Sequence, residues 1–291
     1  EHLATYCSPE ELSEKARYYL AHESERQRLA QAGRHEVLTK HTYRQRAEVI
    51  LRELERSVSR KQVVMPTLAA KTPEYFEHAR PEVLDLIPAT VCRVLDVGCG
   101  GGRLGEALKQ RQDCEVWGIE RDPVAAERAA NRLDRVLNVD LEDDGWELPA
   151  KSFDAIVAAD VLEHVRDPAR LLRRLKPALA DGGLLILSLP NVQHHSVVTG
   201  LLDGNFDYEP AGLLDDDHVR FFTRREIEKL LDRTGFAARD WRHVPGPGWE
   251  EWAANGHPGE IQLGGLTIRG LTPEQAAGFF TYQYLVRAEP L

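Results

Sequence analysis

Val94-Leu95-Asp96-Val97-Gly98-Cys99-Gly100-Gly101-Gly102-Arg103-Leu104 sets an acidic residue near the end of an apolar strand, just ahead of a glycine-rich turn. Glycines there let the backbone approach a ligand and turn sharply into a following helix, whose first N–H groups face that ligand. A carboxylate two residues before the first glycine stands where a pyrophosphate would be repelled, so the stretch suits a nucleotide that carries positive charge. Two other readings stay open on these residues alone. Gly100-x-Gly102-x-x-Gly105 also satisfies the dinucleotide fingerprint, although it falls two residues late relative to the strand end. The glycines could equally make no more than a tight strand-to-helix turn.

Outward from this turn, five short apolar runs stand out: Arg93–Val97, Glu115–Ile119, Val136–Val139, Ala155–Ala158 and Leu184–Leu187. The segments between them are long enough for helices, and such alternation predicts βαβ units on a parallel sheet. Phe236–Val244 and Thr281–Val286 add two more strands. The expected fold is α/β, a Rossmann-like doubly wound seven-stranded sheet with an N-terminal helical segment. Ligands of such sheets sit beyond the carboxyl ends of the strands, and here those ends are acidic. Glu120 lies some twenty residues past the glycine turn, where a carboxylate accepts the ribose hydroxyls of a nucleoside. Asp140 and Asp160 follow the third and fourth strands. A plainer reading of Asp140 is an Asp that caps the following turn.

The pattern Asp-x-Gly-x-Gly-x-Gly from Asp96, followed in order by Phe153-Asp154, Leu162-Glu163-His164, Leu175-Lys176-Pro177 and Gly182-Gly183-Leu184-Leu185, resembles the class I S-adenosylmethionine-dependent methyltransferases over residues 72–291. The resemblance implies S-adenosylmethionine as cofactor, with S-adenosylhomocysteine as product, and an antiparallel last strand. It implies that Asp96, Gly98, Cys99, Gly100, Glu120, Arg121, Asp140, Leu141 and Asp160 hold the cofactor, Asp140 accepting the adenine amino group. At Cys99 the backbone is expected to matter rather than the sulfur. Thr72-Pro73-Glu74-Tyr75 is expected to open a helix that reaches Leu86, with Tyr75 and Arg80 covering the cofactor and Arg80 pairing with its carboxylate; a core tyrosine and a surface arginine are the plainer readings.

Methyl transfer to oxygen needs an aligned acceptor and a base, and histidine is the natural one near neutral pH. His164 follows the fourth strand, His194 lies in Asn191-Val192-Gln193-His194-His195 after the fifth, and His218 precedes a helix capped by Thr223 with Glu226. His218 and His194 are the preferred bases, since they sit in polar loops; for each, a structural histidine is the competing reading. Asp215-Asp216-Asp217 has the chemistry of a hard-cation site, but consecutive loop carboxylates rarely converge on one ion, so a solvated acidic turn is expected. No metal ligands are assigned and the need for a metal stays open. Gly246–Leu271 carries Trp249 and Trp252 without helical period, suiting either an acceptor pocket or local packing.

The N-terminal residues read as helices: Ser8-Pro9-Glu10-Glu11 caps one, Ser24 with Gln27 a second that ends or breaks near Gly33, and Thr42 a third. Ser8–Leu12, Tyr18–His22, Ala32–Arg34 and His41–Arg46 resemble, over residues 5–56, the C-terminal tail of two-lobed bacterial glycosyltransferases related to spore-maturation proteins. With Glu1 rather than methionine at the start, this predicts a piece of a glycosyltransferase/methyltransferase fusion. The expected organisation is a helical segment over 1–62, a linker over 63–70 and a methyltransferase domain over 71–291.

Of 291 residues 42% are hydrophobic and 29% charged, with a formal net charge of -10. Residues 1–62 carry 12 Lys+Arg against 10 Asp+Glu, and the remainder 25 against 37, a balance that disfavours nucleic acid as partner. No apolar run approaches a bilayer span, and no basic-plus-apolar leader is seen. Four cysteines without paired spacing suit a reducing compartment, so a cytoplasmic protein is expected. The expected partners are a small-molecule or glycan acceptor and a fused or separate glycosyltransferase. A nicotinamide-dependent oxidoreductase and a cofactor-binding scaffold for a glycosyltransferase are the alternatives.

Overall fold

The computed structural model describes residues 5–40, 77 and 79–291. The chain divides into two compact units, Glu1–Thr67 and Leu68–Leu291. In the first, α1 (Pro9–Ala21) starts at Ser8, whose hydroxyl accepts the Glu11 N–H, while the Glu11 carboxylate accepts the Cys7 N–H at 2.7 Å. Helix α2 spans Glu23–Lys40. Ser24 therefore lies inside α2 rather than capping it, and Gly33 does not end it. One glycine costs a helix only about 1 kcal/mol, and the flanking Leu, Ala, Gln, Arg and Glu residues favour helix. The expected third helix from Thr42, the 63–70 linker and Tyr75 lie outside the described residues.

In the second unit the expected helix from Thr72 to Leu86 is not continuous. Arg80 is left-handed at φ 48°, and α3 covers only Pro81–Leu84. Proline disfavours helical geometry in the residue before it, which places the break at Arg80. The seven strands of the sheet are β1 (Arg93–Val97), β2 (Glu115–Glu120), β3 (Arg135–Asn138), β4 (Phe153–Ala159), β5 (Leu179–Pro190), β6 (Phe236–Pro245) and β9 (Thr281–Pro290), in the order β3-β2-β1-β4-β5-β9-β6. Strands β1 to β5 pair in parallel, and β9 runs antiparallel to both β5 and β6. The expected fold class is the observed one, with the last strand inserted between β5 and β6.

Both faces of the sheet are covered, which is why the strands read as nearly unbroken apolar runs. Leu95, Val97, Ile119, Ile156 and Leu187 point into one core cluster. Their neighbours Val94, Val116, Val157 and Ile186 point into the other. Helices α4 (Arg103–Arg111), α5 (Pro123–Ala130), α6 (Pro168–Leu175), α7 (His195–Leu202) and α8 (Arg224–Thr234) connect the strands. Thr223 caps α8 as expected, accepting the Glu226 N–H. Between β6 and β9, α9 (Trp249–Ala254), the β7–β8 hairpin (Ile261–Leu263, Leu266–Ile268) and α10 (Pro273–Ala277) form a satellite core. Trp252 is buried there, stacked on Phe280 with Trp249 beside it. These tryptophans pack the insertion and do not line the cleft.

Candidate active site

The carboxyl ends of β1, β2 and β4 open into a cleft of about 1090 Å³, enough for a nucleoside ligand and a second molecule. Its floor is the turn after β1. Gly98, Gly100 and Gly102 have φ of 69°, 51° and 81°, and a Cβ on Gly98 would lie 2.7 Å from Val161 Cγ2. The N–H groups of Gly98 and Cys99 donate to the Ile119 carbonyl, which ties the turn to β2. Cys99 lines the cleft and turns its sulfur into the core, where a Cβ on Gly118 would come within 2.5 Å of it. Burial pushes this thiol well above its usual range.

Glu120 is buried and occupied on both oxygens: Oε2 accepts the Gly100 N–H at 2.9 Å and Oε1 the Asp122 N–H at 2.7 Å. It is thus a brace of the glycine turn as well as a wall of the cleft. Asp96 faces Gly118 and Val157 across the neighbouring strands and is 4% exposed. Burial, then repulsion from Glu120, push its carboxyl up to about 7, against the pull of Arg80. Asp140 and Leu141 line the cleft, and Asp140 also caps its own turn by accepting the Glu142 N–H. Arg121 lines the same end, 3.9 Å from Asp140.

Arg80 and Asp160 form an ion pair across the cleft. Arg80 Nη2 also donates to Ser188 Oγ at 2.9 Å, and Asp160 accepts from Gln283 Nε2 at 2.9 Å. Both residues have positive φ, 48° and 56°, a strain that the surrounding bonds must hold in place. Arg80 is therefore neutralised by an acid of its own chain, where pairing with a ligand carboxylate was expected. Tyr282 and Gln283 of β9 line the cleft too, and nothing in local sequence marks them.

The loop Leu213–Arg220 closes the far end. The Glu163 carbonyl accepts the N–H groups of Val219 and Arg220, and His164 Nδ1 lies 3.3 Å from the Asp217 carbonyl. His164 and His218 consequently meet edge to face, with centroids 4.8 Å apart, and both line the cleft. Ligand atoms of Glu163, His164 and His218 all lie within 4.8 Å of one another. The Leu162-Glu163-His164 motif does not by itself mark the burial of Glu163, which comes from the tertiary fold. The acidic turn is not the solvated one expected: Asp215 is 2% exposed and lines the cleft with Asp217.

His194 is the exception among the predicted residues. It caps α7, with Nδ1 at 2.8 Å from Ser196 Oγ, and does not line the cleft. Burial pushes it down to about 4. Its ring fills the space above Gly246, where a Cβ would come within 2.4 Å of Nε2. The polar sequence around it suggested a surface loop, but the satellite core between β6 and β9 covers that loop.

Residues 23–240 match the model of the methyltransferase domain family. The chain is 41% identical over 172 residues to a ubiquinone biosynthesis O-methyltransferase of Xylella fastidiosa, covering 57% of this chain and 68% of that protein. It is 27% identical over 158 residues to the protein of that name from Aeromonas salmonicida, covering 52% of this chain and 66% of the relative. A Xanthomonas campestris relative is matched over 55% of its length at 39% identity. Among solved structures, an S-adenosylmethionine dependent methyltransferase from Mesorhizobium loti is similar, with TM-score 0.48 and 21% identity over 72% of this chain and 97% of that one. Asp96 at the strand tip and the ordered motifs of β4 and β5 thus stand within a family match that begins in α2 and ends in β6, and the chain belongs to the methyltransferase-domain family.

Proposed function

We propose that this protein transfers the methyl group of S-adenosylmethionine to a hydroxyl oxygen, and that the hydroxyl belongs to a sugar or glycan. The observation that carries the reading is the acidic end of the cleft: Asp96, Glu120 and Asp140 surround the glycine turn, and the carboxylates lining the cleft outnumber its two arginines, Arg80 and Arg121. That set fits a ligand bearing a sulfonium and an ammonium and repels the pyrophosphate of a nicotinamide cofactor. Gly98 fits as well, since any side chain there would strike Val161. When bound, the cofactor supplies an electrophilic methyl group. Glu120 and Asp140 hold its nucleoside, Asp96 and Asp160 face its cationic end, and His164 and His218 stand at the acceptor end.

Oxygen as the acceptor atom is supported by the name of the relatives, ubiquinone biosynthesis O-methyltransferase. The sugar is supported by the rim. Residues 203–217 hold six carboxylates and no Lys or Arg, which suits hydroxyl donors and disfavours a phosphorylated ligand. Phe206, Tyr208 and Phe221 form a partly exposed aromatic cluster beside His218, of the kind on which sugar rings stack. The resemblance of residues 5–56 to a glycosyltransferase tail adds a glycosyltransferase as partner or fused neighbour that supplies the acceptor. Four free cysteines suit a cytoplasmic setting. No described helix is long and apolar enough to cross a membrane.

A second reading, a phenol as acceptor, is favoured by the relatives' name alone. The test has two parts. Calorimetry should show S-adenosylhomocysteine binding and no binding of NADH; the reverse would overturn the reading. Radiolabelled methyl transfer should then favour free sugars over catechols, and a preference for catechols would replace the sugar with a phenol.

A further inference from the structure

Among the described residues, both carboxylate oxygens of Glu163 are buried without a hydrogen-bond partner. Leaving such a group unsatisfied costs on the order of 1–3 kcal/mol, and a buried polar group without a partner calls for an explanation. Glu163 is 1% exposed yet lines the cleft, on the turn Leu162–His164 that follows β4. Its backbone carbonyl anchors the loop that carries His218. Among the described residues, the groups that face it are His164 and His218 within 4.8 Å, Asp215 from the same loop, and Arg80 from the segment before α3. His164 Nδ1 and His218 Nδ1 each lie 3.3 Å from a backbone carbonyl, those of Asp217 and Leu213.

The geometry points to Glu163 as the catalytic residue that takes the proton of the acceptor hydroxyl, beside His164 and His218 in the cleft. This rests on the methyl-transfer reading above. The acceptor O–H bond breaks and its proton goes to a Glu163 carboxylate oxygen. The oxygen's electron pair forms the O–CH3 bond while the electrons of the donor's C–S bond return to sulfur. Burial, with a smaller push from Asp215 against the pull of Arg80, raises the Glu163 carboxyl to about 8. A base in that range both accepts a proton readily and returns it to solvent near neutral pH.

The test is Glu163→Gln, which keeps the shape of the protonated acid. The expected result is a fall in kcat of about 10²- to 10⁴-fold, with S-adenosylhomocysteine affinity unchanged and partial recovery in Glu163→Asp. Wild-type kcat should rise with pH to a plateau above about 8, and this limb should vanish in Glu163→Gln. Independently of turnover, infrared spectra of the ligand-free protein at pH 7 should show carboxylic-acid C=O absorption from Glu163 and Asp96, and Glu163→Gln should remove the Glu163 share. Retained kcat with an intact acidic limb would overturn the proposal while leaving methyl transfer standing. Activity that is lost on metal stripping and restored by Mg2+ or Mn2+ would make the carboxylate a ligand and overturn it equally. Failure of wild type to bind S-adenosylhomocysteine would instead sink the reading beneath it.

Discussion

Binding of the methyl donor should release a proton from Asp96. This carboxyl is raised to about 7 by burial and by Glu120. A sulfonium or ammonium near it favours the charged form, so binding removes whatever proton is present. The sign follows: affinity is highest above pH 7 and falls as pH drops through 7, because each bound cation must then displace a proton. The limiting slope is about tenfold, or 1.4 kcal/mol, per pH unit below the pKa. Dissociation constants from titration calorimetry between pH 5.5 and 8.5 measure it, and repetition in buffers of different ionisation enthalpy counts the protons. At pH 7 about half a proton per site should leave. Glu163→Gln serves as background for the other raised carboxyl, and Asp96→Asn should bind more weakly with no release from this position. A flat affinity with no released proton in the Glu163→Gln background would refute the argument that Asp96 faces the ligand's positive charge.

Glu120→Ala should lower both S-adenosylhomocysteine affinity and stability, the latter by roughly 1–3 kcal/mol in urea denaturation, since two backbone N–H groups lose their acceptor; unchanged stability would mean the brace is dispensable. Gly118→Ala meets Cys99 Sγ at 2.5 Å and Leu133 at 2.8 Å, so it should destabilise by about 1–3 kcal/mol. Adding Cys99→Ala should recover part of that loss, and additive effects in the double-mutant cycle would contradict the contact. His194→Gln should lower the thermal midpoint while leaving kcat and KM near wild type, because the ring lies outside the cleft; a selective loss of kcat would return His194 to the active site.

Much of the site was legible because strand ends are local features. An Asp before a glycine turn, a Glu at the next strand end and an Asp at the one after that fall on one cleft in any parallel sheet of this winding, and Asp96, Glu120 and Asp140 do so. Features set by distant segments were not legible. Whether a polar loop histidine faces water or core depends on what folds over it, which separated His194 from His218. Arg80 could be given a role but not its partner, since Asp160 lies eighty residues away in sequence. Gln283 of β9 reaches Asp160 across 123 residues.

By itself the sequence determined the α/β class, the seven strands of the main sheet and the acidic character of the cofactor end. These depend on hydrophobic period, glycine conformation and residue charge, which are properties of short stretches. Tertiary structure alone decided that Glu163 is desolvated, that Glu120 is engaged by the turn it borders and that β9 brings Tyr282 and Gln283 to the cleft. Desolvation and ion pairing are sums over every neighbour within a few ångströms, and those neighbours are assembled by the packing of segments far apart in the chain.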